Sequence, residues 1–144
     1  MAIIGGLDVH RRQITFDYLD GDTGELVRGR VVPADRETLR AWLGRFAGRP
    51  AAFAVEGCTG WRYVVEELQR AGMPAHLAEP AETAQAARGR KRRAKTDRID
   101  AGRLRQLLAD GAIPESWIPP LQVREVRTQV RLYKDLDDAR AVWL

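Results

Sequence analysis

The chain has 144 residues, with 44% hydrophobic and 31% charged side chains, which is the size and balance of one globular domain and excludes a collagen-like or disordered chain. No stretch approaches the roughly 20 apolar residues that cross a bilayer. The formal net charge of +4 conceals an asymmetry: residues 1–87 carry 10 basic and 12 acidic side chains, whereas residues 88–144 carry 14 and 8, a pattern that points to a polyanionic partner. In chain order, residues 2–9 read as a short buried strand ending near Asp8. Residues 12–19 alternate apolar and polar at Ile14, Phe16 and Tyr18, the period of a half-buried strand. The run Asp20-Gly21-Asp22-Thr23-Gly24 is a hairpin turn signal, and a third strand follows at 25–32. A helix is expected from about 35 to 47, with Leu39, Trp42, Leu43 and Phe46 on one stripe.

The continuous apolar run at 51–55 has the character of a central strand buried on both faces, ending at Glu56-Gly57. A helix over 61–71 ends at Gly72, and residues 74–78 suggest a fifth strand. Residues 80–87 are alanine-rich and helical in character. Residues 88–96 form a basic loop. Thr96 is a good N-cap for a helix from Asp97 to about Asp110. Gly111 and Pro114 end that helix, and Pro119-Pro120 precedes a last helix over 121–143. Three strands joined by hairpins, followed by strand–helix alternation, predict an α/β fold with a mixed, ribonuclease-H-like sheet flanked by helices and a long C-terminal helix.

The single cysteine, Cys58, excludes an internal disulfide and a cysteine-built zinc site. With no basic, cleavable leader pattern at the N-terminus, a cytoplasmic location is expected. Four carboxylates sit where strand ends and helix starts would bring them together. Asp8 follows the first strand, Glu56 follows the central strand, and Asp97 and Asp100 open a helix three residues apart, on one face. Ligands of open α/β sheets bind beyond strand C-termini. Four clustered carboxylates cannot all stay ionised without a cation between them, and oxygen-only donors select Mg²⁺ or Mn²⁺. Two such ions could clamp the attacking and leaving oxygens of a phosphodiester, with the cations Arg88, Arg90, Lys91, Arg92, Arg93, Lys95 and Arg98 holding its backbone. Each residue also has a plainer role. Asp8 can form a turn, Glu56 can face solvent, Asp97 and Asp100 can favour a helix N-terminus, and a basic run can be a solvated surface.

Three blocks carry a resemblance. They are Ile4-Gly5-Gly6-Leu7-Asp8-Val9-His10, Val55-Glu56-Gly57-Cys58-Thr59-Gly60-Trp61 and Lys95-Thr96-Asp97-Arg98-Ile99-Asp100-Ala101. In this order they resemble the N-terminal RuvC-like domain of the insertion-sequence one-ten family of DEDD transposases, over about the first 110 residues. The resemblance implies that Asp8, Glu56, Asp97 and Asp100 are the D, E, D and D of a metal-binding tetrad, and that residues 1–115 form the catalytic domain. It implies DNA strand cleavage or exchange during transposition, in some members guided by a structured RNA. Family members continue through a coiled coil into a second domain with a nucleophilic serine. The only serine here is Ser116, outside any nucleophile-like context, so residues 116–144 are expected to lead towards that coiled coil, and this chain alone is not expected to carry a complete reaction. The alternative is a module that grips nucleic acid without chemistry. A metabolic enzyme on the same fold, such as a sugar kinase, is disfavoured, because no glycine-rich phosphate loop accompanies Asp8.

Among the remaining residues, His10, two residues after Asp8 and on the same side by strand period, is expected to be solvated, with support of the Asp8 site as the alternative, and His76 is expected to be structural. Cys58 is expected to pack near the site, and Thr59 and Gly60 to shape the turn and cap the next helix. Trp42 and Trp61 are expected in the core. On the last helix, Val123, Val126, Val130 and Tyr133 form a short heptad-like seam, which suggests self-association into a homo-oligomer.

Overall fold

The computed structural model describes residues 2–80 and 97–143, with residues 97–100 described by their backbone. The expected helix at 80–87, the basic loop at 88–96 and the Thr96 cap therefore fall outside the described residues, apart from Pro80. Five strands form one sheet: β1 (Ile3–Val9), β2 (Ile14–Asp20), β3 (Leu26–Val31), β4 (Ala51–Glu56) and β5 (Ala75–Ala78). The helices are α1 (Arg36–Leu43), α2 (Trp61–Arg70), α3 (Asp97–Ala109) and α4 (Leu121–Trp143), with one 3-10 turn at Gly44–Phe46.

The strand order is β3-β2-β1-β4-β5. The first three strands pair antiparallel as a meander. β4 and β5 then join parallel to β1, because the helices α1 and α2 carry the chain back before each new strand. A meander whose first strand is the central partner of a later parallel strand is the ribonuclease-H-like arrangement expected from the sequence.

The two faces of this sheet are built differently. One face presents Ile3, Leu7, Val9, Ile14, Phe16, Phe53 and Val55, all buried. They pack with Leu39, Trp42, Leu43 and Phe46 from the α1 region and with Val64 and Leu68 of α2. Trp42 is the hub, with ring centroids 4.8 Å from Phe16, 5.0 Å from Phe46 and 5.6 Å from Phe53. Such pairs contribute about 0.5–1.5 kcal/mol each beyond their buried area. Asp35 starts α1, accepting the N–H of Thr38 at 2.8 Å, a cap that contributes about 1 kcal/mol.

By strand alternation, the other face presents Gly6 and Asp8 of β1, Thr15 and Asp17 of β2, and Ala54 and Glu56 of β4. It is poor in large side chains, and α3 lies across it. A Cβ on Gly6 would stand 2.1 Å from the carbonyl oxygen of Ala101 and 2.7 Å from the nitrogen of Arg105, so helix and strand backbones touch only because that side chain is missing. Ala54 and Ala78 leave room in the same way for Leu104, with Leu108 and Ile113 packed around them.

Candidate functional site

Asp8 and Glu56 occupy equivalent ends of the two central parallel strands. The β1–β4 register runs from Ile3 opposite Ala51 to Leu7 opposite Val55, and Asp8 and Glu56 are the next residue on each strand. Both therefore project from the α3 face of the sheet. Asp8 is buried at 4% exposure, and Glu56 is half-buried. α3 begins with Asp97 and Asp100, and Ala101, immediately after Asp100, lies against Gly6, two residues before Asp8. The fold thus brings the first turn of α3 and the ends of β1 and β4 to one face, with the side chains of Asp97 and Asp100 outside the described residues. Of the basic residues expected to contact phosphate, Arg88, Arg90, Lys91, Arg92, Arg93 and Lys95 lie outside the described residues, and Arg98 is described by its backbone alone.

His10 follows the alternative expectation, support of the Asp8 site, and not the solvated one. Its ring is partly exposed, but Nε2 lies 3.1 Å from Oδ2 of Asp8, so it holds the buried carboxylate from the solvent side. The turn that presents it is closed by the His10 N–H donating to the Gln13 carbonyl at 2.9 Å. Opposite Asp8 in the β1–β2 register stands Thr15, 1% exposed. Its buried hydroxyl has no hydrogen-bond partner among the described residues, an unusual state for a buried polar group.

Asp17 is a site-proximal residue that sequence reasoning missed. It is 1% exposed and accepts from Nε of Arg28 at 2.7 Å and Nε of Arg105 at 2.5 Å. Gly102 makes the close passage possible, since a Cβ there would stand 3.1 Å from Asp17 Oδ2. The alternation at Ile14, Phe16 and Tyr18 did assign Asp17 to the opposite face. What it could not show is that a helix buries that face too.

A third buried carboxylate, Glu67 on α2, joins the helices of the other layer. It accepts from Arg40 at 2.9 and 3.0 Å, Arg36 at 3.2 Å and Arg70 at 3.2 Å. The Arg40 hydrogen bond above all holds its carboxyl below the ordinary range, against the opposing effect of burial.

The loop Gly57–Gly60 follows Glu56 directly. Gly60, at φ 94°, caps α2 with no side-chain hydrogen bond, so the glycine conformation makes this turn and Thr59 does not cap the helix with its side chain. Cys58 is half-buried. His76 pairs with Glu115 at 2.5 Å, a structural contact as expected. Trp42 is in the core, and Trp61 packs partly buried against it. Trp117 is 63% exposed, with the Arg127 guanidinium 5.5 Å from its ring centroid. Ser116 donates its backbone N–H to the Leu77 carbonyl at 2.7 Å, continuing the edge of β5.

Among the described residues, no group of three or more His, Cys, Asp or Glu side chains is gathered as a metal site, and no helix is long and apolar enough to cross a membrane. No curated protein matches the chain. Among solved structures, the chain is similar to T. thermophilus RuvC in complex with a Holliday junction substrate, at 14% identity and a TM-score of 0.42, covering 82% of this chain and 83% of that one. The family model for DEDD transposases of the IS110 type, described as "Transposase", matches residues 5–143. The chain belongs to this transposase family.

Proposed function

We propose that this chain is the part of a transposase that holds divalent cations against a DNA strand and supports cleavage or exchange of that strand. The observation that carries the reading is the shared face of Asp8 and Glu56 at the ends of β1 and β4, with the α3 turn bearing Asp97 and Asp100 resting on it beside Gly6. The donor set fits a hard cation: the four residues offer carboxylate oxygens only, which suits Mg²⁺ or Mn²⁺. The unpartnered Thr15 hydroxyl opposite Asp8 adds a polar group in need of a partner, such as a bound water. When bound, the cations would supply charge stabilisation at the phosphodiester and lower the pKa of an attacking hydroxyl.

The chain's own residues do the rest. Asp8, Glu56, Asp97 and Asp100 would hold the ions. His10 fixes the orientation of Asp8 through its 3.1 Å contact. Arg88, Arg90, Lys91, Arg92, Arg93, Lys95 and Arg98, in the segment that leads into α3, would hold the phosphate backbone of DNA or of a guide RNA. The apolar seam of α4 supports self-association, because Val126, Val130 and Tyr133 are 57%, 61% and 73% exposed.

Calorimetric titration of the chain with Mn²⁺ tests the reading. Binding is expected for the wild type and is lost in Asp8→Ala and in Asp97→Ala. A wild-type chain that binds no Mn²⁺ even with an oligonucleotide present overturns it.

A further inference from the structure

On the opposite side of the sheet from α3, an open groove of about 820 Å³ runs between the start of α2 and the middle of α4. Its floor is the Gly57–Gly60 loop, the segment that follows Glu56, and its walls include Arg62, Tyr63 and Arg131 together with Glu66, whose carboxylate is taken up by Arg36 and Arg124. α4 contributes Arg131 to the groove. Arg124, Arg127, Arg131 and Lys134 recur at the 3-4-3 spacing of one helix stripe.

The cations here divide into spent and unspent. Arg124 is buried and donates to Glu66 at 2.9 Å, and Arg36 is held by Glu66 and Glu67. Arg62 donates to a neutral partner, the Thr128 hydroxyl, at 3.2 Å. Among the described residues, neither Arg62 nor Arg131 has a carboxylate partner. Two uncompensated guanidiniums therefore line one groove with the start of α2, whose first turn carries no acidic residue and leaves the helix dipole unopposed. Tyr63 adds a hydroxyl that is buried and unpartnered among the described residues, and Trp61 adds a half-exposed ring.

We infer that this groove is a second binding track for the phosphodiester backbone of a nucleic-acid strand, with Arg62 and Arg131 contacting its phosphates. The inference rests on the reading above that the chain acts on nucleic acid. It adds a contact surface on the α2 side of Glu56, beside the loop that follows this residue. The contacts are to charge and not to base edges, so the binding is insensitive to sequence and sensitive to salt.

The test is fluorescence anisotropy of labelled single-stranded DNA and RNA oligonucleotides over a salt series. It uses the wild-type chain, Arg62→Ala/Arg131→Ala, and a charge-matched control, Arg45→Ala/Arg140→Ala, at exposed positions outside the groove. Thermal melts verify that each variant folds. The groove variant is expected to bind about ten-fold more weakly at low salt, with a log–log salt slope shallower by about 1.4, since each lost phosphate contact on a single strand removes about 0.7. The control stays near wild type, and the DNA and RNA arms show which strand the groove prefers. Affinity of the groove variant within about two-fold of wild type overturns the inference, as does displacement of the oligonucleotide by inorganic phosphate at equal phosphate concentration, which would mark a site for the free ion. A wild-type chain that binds neither oligonucleotide overturns it too. Mn²⁺ binding, measured on the same variants, is expected to be unchanged. Its absence from wild type would sink the metal reading while leaving the groove result intact.

Discussion

Arg105 Nε donates to Oδ1 of Asp17 at 2.5 Å, across 88 residues of sequence, and this ion pair pins the helix that carries Asp97 and Asp100 to the sheet that carries Asp8. The Asp17 side chain is 1% exposed and that of Arg105 is 14% exposed. Removing one partner from such a pair leaves a buried charge uncompensated, which costs about 3–5 kcal/mol. Asp17→Ala is therefore expected to lower the unfolding free energy by that order in a urea titration. Arg28→Ala, at the half-exposed second partner, should cost less than about 1 kcal/mol. Equal losses from the two would show that α3 is held by something other than this pair.

Gly6 gives a second measure of the same docking. Gly6→Ala puts a methyl group 2.1 Å from the Ala101 carbonyl, so α3 must lift from β1. Both thermal stability and Mn²⁺ affinity are expected to fall. Gly44→Ala is the control, because Gly44 has helical φ of −56° and open space around its Cβ. There the change is expected to be neutral or to stabilise by about 0.4–1 kcal/mol, through reduced freedom of the unfolded chain.

Acid should loosen the α1–α2 layer through Glu67. Its carboxyl is held below the ordinary range by Arg40 first and Arg36 after it. A depressed carboxylate contributes stability above its unfolded pKa and loses it as pH falls through the folded value. Chemical denaturation from pH 6 downward is therefore expected to show stability falling below about pH 4.5. Asp20, lowered to about 2 chiefly by the Arg49 hydrogen bond, contributes in the same direction at the lower end. In Glu67→Gln the acid-sensitive component should shrink. An unchanged pH profile would exclude Glu67 as its source.

Self-association of α4 is testable without disturbing the domain. Val126, Val130 and Tyr133 are exposed, whereas Arg124 faces the body and binds Glu66. Val126→Asp with Val130→Asp should leave the melting temperature of the globular part within a few degrees while abolishing any concentration-dependent association in sedimentation velocity. Association that survives both substitutions would place the contact elsewhere.

Most of the local structure was legible in the sequence. The alternation at Ile14, Phe16 and Tyr18, the turn signal at 20–24, the apolar run at 51–55 and the stripe at Leu39, Trp42 and Leu43 each follow from a period of the backbone. The observed strands and helices fall within a few residues of those positions. The expected candidates Asp8 and Glu56 were equally legible, because strand ends can be counted. The burial of Asp17 and Glu67 was not, whereas the two-residue spacing of Asp8 and His10 already put both on one side of the strand. Periodicity reports which residues share a face, but not which element from elsewhere in the chain covers it. The missing side chain of Gly6 admits α3, the arginines that neutralise Asp17 and Glu67 come from other elements, and the loop after Glu56 gains its cationic wall only when α4 returns beside α2. Elements and acidic candidates can be read along the chain, since they depend on neighbours in sequence. Which charges are buried, paired or left uncompensated depends on contacts between residues distant in sequence, and so emerges only in the folded molecule.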